Sequence, residues 1–401
     1  MKENNLTIKI TSIFLAGILI IGFIRSGAFI TFGRMSKLLC QKITADAPEE
    51  NPITIDTIES DFSSNLWIQH DLIDFNGAIA KMLNMQGFYS DMGMYITDDN
   101  YIISASASTS TDYEYQETVA FRDFLEANGI NFLYVNEPTK YTDDSLFADE
   151  FGVETYSNRN MDVFLSRIKE ENVDYIDLRE NIAEDKMKCF DLFYRTDHHW
   201  TVPAGLWATQ IMAEGLNQYC GYNINTSIYD IDNYETNEWK NCWLGEQGKK
   251  VAKTYVGLDD YTEVKPRFET SFTFKNKDGS TWQGTFDDFI NESLYNTEND
   301  VYENKSWHYS YKRINCINNN VDHGKILLLC DSYDYVTQPF LALGVHEVDS
   351  LMLRSYDNSF SLRDYILKNG YDTVIVAYAQ FMVGAHDKEN SANYRMFTFE
   401  Y

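Results

Sequence analysis

Two fragments far apart in the chain hold the residue types from which a reactive hydroxyl is made. The first is Thr196-Asp197-His198-His199-Trp200-Thr201, preceded by Arg195. The second is the apolar run Lys325–Cys330, which ends in Asp331-Ser332-Tyr333. A serine hydroxyl is a weak nucleophile near neutral pH. It needs a base beside it, and the base needs an orienting acid. Ser332, His199 and Asp197 supply one of each. Asp197 and His199 are two apart, which puts both side chains on one side of an extended segment. His198 then points elsewhere, into supporting hydrogen bonds. Both fragments have plainer readings. Asp331-Ser332 ahead of a helix is a common capping pair. Asp197 and His199 are metal-ligand types too, but nothing nearby supplies an obvious third ligand, so no metal is expected.

For these residues to meet, Lys325–Cys330 must be a buried strand that delivers Ser332 at its carboxyl end, where a parallel sheet gathers its loops. The surrounding pattern fits. Glu114–Asn128 has helical character and stops at Gly129. A strand over Asn131–Asn136 leads to a loop at Pro138 that carries Lys140 and Tyr141. Arg159–Glu171 is a helix and Val173–Leu178 a strand. Thr201 caps a helix reaching about Tyr219, with Pro203 in its first turn. Beyond Ser332 come a helix over Tyr333–Leu343, a strand over Val348–Leu353, a helix over Leu362–Asn369 and a last strand over Thr373–Tyr378. Such alternation predicts an α/β domain whose parallel sheet is sandwiched by helices. Arg354 and Gln380 fall at strand ends on the same edge. Either could supplement the Ser332 N–H in binding an oxyanion, although Arg354 is equally placed to pair with Asp357.

The alternation disappears between Tyr222 and Asn320, a stretch rich in Asn, Tyr, Thr, Trp and Gly. It is expected to be a partly β insertion at about 222–320, over the active-site edge, either as a substrate lid or as structural embellishment. Upstream, Trp67–Leu83 has helical spacing and Met94–Ile103 the form of a hairpin. Residues 61–401 are expected to form the α/β domain, 31–60 a stalk and 1–30 an anchor or signal. The apolar core Ile10–Ile24 is about 15 residues, short of the roughly 20 that a span needs unless Leu6 to Lys9 joins it. No small-residue cleavage site follows closely, which favours an uncleaved anchor. Lysines and arginines flank it on both sides, so charge does not set its orientation.

The 401 residues carry a net charge of −28, which disfavours nucleic acid and anionic lipid headgroups as partners. Hydrophobic content of 44% is globular, and the 15% aromatic content is compatible with sugar-stacking surfaces. The six cysteines show no zinc-type spacing.

Asp197-His198-His199-Trp200 matches the residues that name the DHHW protein family. The chain resembles that family and the SGNH-hydrolase-like proteins of alginate and other polysaccharide O-acetylation, whose motif is Asp-x-His-Trp with a later Asp-Ser. Phe75-Asn76-Gly77, the Pro138-Thr139-Lys140-Tyr141 loop and Gly245 after Trp243-Leu244 also match, so the resemblance spans about 65–401. It implies an SGNH-hydrolase-like, flavodoxin-like fold, circularly permuted because acid and base precede the serine. It implies Ser332 as nucleophile, His199 as general base and Asp197 as orienting acid. Arg354, Gln380, Gly245, Lys140 and Tyr141 would serve the oxyanion or substrate, His198 and Trp200 would support the site, and no cofactor is needed. Cys330 stands where the pattern has Gly, and its Cβ is expected to crowd the turn; Glu246 stands where Ser is usual. The function implied is an extracytoplasmic serine-dependent O-acetyltransferase, held at the cell membrane by its N-terminal helix or secreted if that is cleaved. It would act on a polysaccharide acceptor, with a membrane-bound O-acyltransferase as donor partner. A carbohydrate acetylesterase and a catalytically inactive glycan-binding or assembly protein are the alternatives.

Overall fold

The computed structural model describes residues 69–86, 93–276, 278–290, 300–303, 314–357, 359–384 and 392–399. The expected anchor and stalk lie outside them. Among the described residues no helix is long and apolar enough to cross a membrane. Two units are distinguished, 1–83 and 84–401. In the first, one helix, α1 (Gln69–Met82), carries Phe75-Asn76-Gly77.

The second unit opens with the expected hairpin. Strands β1 (Met94–Ile96) and β2 (Ile102–Ser104) pair antiparallel around a turn in which Asn100 takes a left-handed φ of 64°. Helix α2 (Asp112–Ala127) has Asp112 and Glu114 in its first turn, where acids favour the helix dipole. It gives way at Gly129, φ +72°, to β3 (Asn131–Glu137). Then follow α3 (Ser145–Phe151), α4 (Ser157–Glu170), β4 (Tyr175–Asp177), α5 (Leu178–Glu184) and α6 (Val202–Tyr219). The middle of the chain supplies β5 (Tyr234–Trp243), α7 (Glu246–Val251), α8 (Lys253–Val256), β6 (Asp259–Pro266), β7 (Phe272–Lys275), β8 (Thr281–Gly284) and β9 (Asn315–Asn318). The last part holds β10 (Lys325–Cys330), α9 (Gln338–Gly344), β11 (Glu347–Leu351), α10 (Leu362–Asn369), β12 (Thr373–Ala379) and α11 (Ala392–Met396).

One eight-stranded sheet dominates, in the order β4-β3-β12-β10-β11-β9-β7-β8. The run from β4 to β11 is parallel, as the alternation predicted. The sheet as a whole is mixed, because β9, β7 and β8 add antiparallel to its far edge. Those strands come from the stretch without α/β alternation, so part of it completes the sheet. β5 and β6 form a separate antiparallel pair.

Period-two alternation splits the core into two layers. Leu133, Val135, Ile326, Leu328 and Ile375 face one layer with α6 and α9. Phe132, Tyr134, Leu327, Leu329, Val374 and Val376 face the other with α2, α4 and α10. With both faces covered, the central strands are apolar throughout, which is why β10 reads as an unbroken hydrophobic run. The helix expected over Tyr333–Leu343 is instead a 3-10 turn, Tyr333–Tyr335, followed by α9.

Candidate active site

Ser332 follows β10 directly, at the carboxyl end of a parallel strand. Asp331 shapes the turn beneath it. One of its oxygens accepts the Tyr333 N–H at 2.8 Å and the other the Ala379 N–H at 2.8 Å, tying the turn to the end of β12. Burial raises the Asp331 pKa, while these two N–H groups and the charges of Arg354 and His199 oppose the shift. Capping thus falls to Asp331, and the Ser332 side chain makes no cap bond. Its Oγ lies 2.8 Å from His199 Nε2. Among the described residues the Ser332 N–H meets no acceptor. The expected crowding by Cys330 does not arise. Its φ is not left-handed, so glycine is not required, and its side chain is buried in the core with Sγ 3.6 Å from the Leu351 carbonyl.

The acid and base sit on a short loop closed by a bridge between Phe193 and Trp200. Thr201 ends the loop and caps α6 by accepting the Ala204 N–H. Asp197 is fully buried. Its Oδ1 accepts from the His199 backbone N–H at 3.1 Å and lies 2.5 Å from His199 Nδ1. With Nδ1 committed to the acid, Nε2 is the ring nitrogen that faces Ser332. Asp197 Oδ2 accepts the Glu246 N–H at 2.7 Å. Burial opposes ionisation of Asp197, but the charge and hydrogen bond of His199, with His198 and the Glu246 N–H, outweigh it and hold the carboxyl well below its ordinary range.

Gly245 stands behind this acid rather than at the oxyanion. Its N–H donates to Thr196 Oγ1 at 2.7 Å, and a Cβ there would lie 2.5 Å from both Asp197 Cβ and the Thr196 carbonyl oxygen. Asp259, at the start of β6, grips the same loop by accepting from the Arg195 N–H at 2.8 Å and from the Thr196 N–H and hydroxyl at 2.9 and 2.5 Å. No motif marks Asp259, one acid among 61 Asp and Glu.

Trp200 and Tyr333 join the two halves of the site. The fully buried indole donates to the Tyr333 carbonyl at 2.9 Å, and the Tyr333 hydroxyl donates back to the His198 carbonyl at 2.6 Å. The His198 ring packs on His199 with centroids 3.8 Å apart. Burial, then the charge of His199, lowers its pKa to about 3, so it is neutral.

His198 and Tyr333 also line a cleft of about 370 Å³ with Lys140, Tyr141, Gln247 and Phe381. Lys140 is buried, its Nζ donating to the Ile102 carbonyl at 2.7 Å and the Arg195 carbonyl at 3.1 Å. Burial lowers its pKa to about 7, against the attraction of Asp259 and Asp197. The Tyr141 hydroxyl donates to the Ser104 carbonyl at 2.8 Å.

Arg354 is half-buried in the turn after β11, with Nε 3.2 Å from Met352 Sδ; among the described residues it forms no ion pair, with Asp357 or otherwise. Gln380 is not placed for the oxyanion. It is buried at the end of β12, and its amide nitrogen donates to Ser157 Oγ and Asn158 Oδ1, both at 3.0 Å. Two clusters have ligand atoms close enough to surround an ion, Asp197-His198-His199 and Glu137-Asp331-Asp334. In the first, both nitrogens of His199 are already hydrogen-bonded. Cys189, Cys220, Cys242, Cys316 and Cys330 are free thiols.

The structure is similar to that of Bacillus cereus PatB1 with a sulfonyl adduct, at 21% identity and a TM-score of 0.59 over 76% of this chain and 98% of that one. It is also similar to a DHHW family protein from Eubacterium siraeum, at 16% identity and 0.54 over 75% and 93%. The O-acetyltransferase domain of Pseudomonas putida AlgJ aligns at 14% identity and a TM-score of 0.45 over 76% and 98%. No curated protein sequence matches the chain. Residues 94–238 match the family described as the SGNH hydrolase-like domain of the acetyltransferase AlgX, a stretch that includes Asp197 and His199 and ends before Ser332. Residues 94–238 are therefore similar to the SGNH hydrolase-like domain of AlgX, and the α/β fold is shared with PatB1 and the DHHW protein.

Proposed function

We propose that this protein is an SGNH-type O-acetyltransferase that carries an acetyl group on Ser332 and passes it to a polysaccharide hydroxyl. The observation that carries the reading is the continuous chain from Asp197 through His199 to Ser332, at 2.5 and 2.8 Å. His199 takes the Ser332 proton as Oγ attacks the acyl carbonyl. The Ser332 N–H stabilises the oxyanion, and the free charge of Arg354 adds to the field at that sheet edge. The intermediate collapses to acyl-serine, and His199 returns the proton to the departing group. In the second half His199 deprotonates the acceptor hydroxyl, which attacks the acyl-serine and frees Ser332. The cleft beside His198, with aromatic walls of Tyr141, Tyr333 and Phe381 and polar points at Lys140 and Gln247, suits a sugar ring.

The order of acid and base before serine supports a circular permutation relative to SGNH esterases. Placement outside the cell on an N-terminal anchor, and supply of acetyl groups by a membrane-bound O-acyltransferase, belong to the same proposal by analogy with the polysaccharide systems.

The test is turnover of p-nitrophenyl acetate by the purified protein, with and without a glycan acceptor, in wild type and Ser332→Ala. Loss of about 10³-fold or more in the variant, with acetylated glycan among the wild-type products, is expected. Acetate alone would make the protein an esterase. Equal rates in both proteins, with glycan binding intact, would reduce it to a binding protein.

A further inference from the structure

Beneath the nucleophile turn lie three fully buried carboxyl groups that the proposed chemistry does not touch. Glu137 ends β3, Asp331 follows β10, and Asp334 lies in the 3-10 turn after Ser332. One oxygen from each lies within 4.8 Å of the others. Asp331 is engaged by two backbone N–H groups. Asp334 Oδ1 accepts from the Thr337 hydroxyl at 2.5 Å. Among the described residues, Asp334 Oδ2 and both oxygens of Glu137 meet no N–H or hydroxyl donor. What these two carboxyl groups have instead is each other, with an oxygen of each within 4.8 Å of the other.

Three carboxylate charges do not persist side by side in a dry interior. Either a cation neutralises them or a proton does. The surroundings favour the proton. Asp331 already has an N–H donor on each oxygen, Thr337 occupies Asp334, and the remaining contact is oxygen against oxygen, as two acids share a proton.

We propose that Glu137 and Asp334 share a single proton, and that this hydrogen-bonded pair positions Ser332 by fastening its turn to the end of β3. The pair reaches across β12, which separates β3 from β10 in the sheet. Its kinetic consequence rests on the reading of Ser332 as nucleophile; the shared proton does not. Removing the proton sets two anions face to face next to Asp331 and pushes the turn away from its 2.8 Å contact with His199. Burial, reinforced by neighbouring carboxylates, raises the pKa of each acid well above its ordinary range, so one proton stays on the pair. The other titratable groups facing them are Cys330 on β10, Tyr134 on β3, Tyr333 in the turn and Tyr378 on β12, all pushed upward by burial. Arg354 and His199 act on Asp331 in the opposite sense.

Infrared difference spectra of the full chain through a pH titration read the carbonyl stretch of a protonated carboxylic acid directly. The expected result is a band present at neutral pH, lost on alkalinisation, absent from Glu137→Gln and retained in Ser332→Ala. In wild type, kcat should fall along the same titration with KM unchanged. Glutamine supplies a hydrogen without titrating, so Glu137→Gln should lack that fall, whereas Glu137→Ala should lose about tenfold or more at every pH. Should Glu137→Gln not fold, Asp334→Asn takes its place. A missing band at neutral pH, a band surviving in both variants, or a stoichiometric metal whose chelation abolishes activity would each overturn the proposal. Because the band is retained in Ser332→Ala, a failure of Ser332 as nucleophile is told apart from a failure of the shared proton.

Discussion

Trp200 and Tyr333 hold each other's segments in register. The Trp200 indole donates to the Tyr333 carbonyl, and the Tyr333 hydroxyl donates to the His198 carbonyl. The acid–base loop and the nucleophile turn are thereby fastened on both sides of the contact between His199 and Ser332. Trp200→Phe keeps an aromatic ring but removes the indole N–H and leaves the Tyr333 carbonyl only the long contact from the Val336 N–H at 3.5 Å. It should cost about 2 kcal/mol. Thermal unfolding measures that cost, and a parallel loss of kcat with KM preserved would show that the register of the two segments has slipped. Full activity with lower stability would confine Trp200 to packing.

Gly245→Ala tests the backing of the acid. The added Cβ meets the Asp197 Cβ and the Thr196 carbonyl at 2.5 Å, atoms with no freedom to swing aside. Either Asp197 moves or α7 does, and each breaks the bond from the Glu246 N–H. Activity should drop at least tenfold, a loss that steady-state kinetics measures.

Asp259→Asn exchanges one accepting oxygen for an NH₂ group that faces donors. Whichever way the amide turns, an N–H from Arg195 or Thr196 loses its acceptor. The expected loss is about 1–3 kcal/mol of stability, read by chemical denaturation. An unchanged midpoint would mean that the hairpin of β5 and β6 does not brace the loop.

Lys140 makes a pH prediction with a definite sign. Its pKa falls from 10.5 in the unfolded chain to about 7 in the folded one, so between these values the unfolded chain binds more protons. Stability from this group therefore rises with pH across that window, and the penalty for burying the ammonium is full below it. Lys140→Met removes the slope. Unfolding midpoints collected from neutral to alkaline pH should separate wild type from variant by their pH dependence. Parallel curves would show that Lys140 stays charged in the folded protein.

Much of this site was legible in the sequence because its parts obey local rules. Val202–Tyr219 announces itself by the Thr201 cap and Pro203, and β10 by an apolar run bounded by polar residues. Asp197 and His199 stand two apart, and the structure brings both to Ser332. What was not legible depends on contacts between distant segments. Gln380 looked available at a strand end, but its orientation is decided by Ser157 and Asn158 more than two hundred positions earlier. Gly245 was visible as a motif residue, yet only the close approach of Asp197 explains it. β7 to β9 were read as an insertion over the site because antiparallel pairing to a parallel sheet leaves no periodic trace in a chain this rich in turns.

The strand order also bears on how the protein is made. β12, the last strand in the sequence, lies between β3 and β10 and pairs with both. During ribosomal synthesis the two flanking strands emerge well before the one that joins them. The sheet's centre stays vacant, and the Ala379 N–H that braces Asp331 is missing until then. A nascent chain lacking its final segment holds Asp197, His199 and Ser332 but lacks the brace that β12 gives the turn beneath Ser332. The complete nucleophile turn is thus withheld from truncated or half-translated copies, and the long-range closure makes folding slow relative to a chain of local contacts.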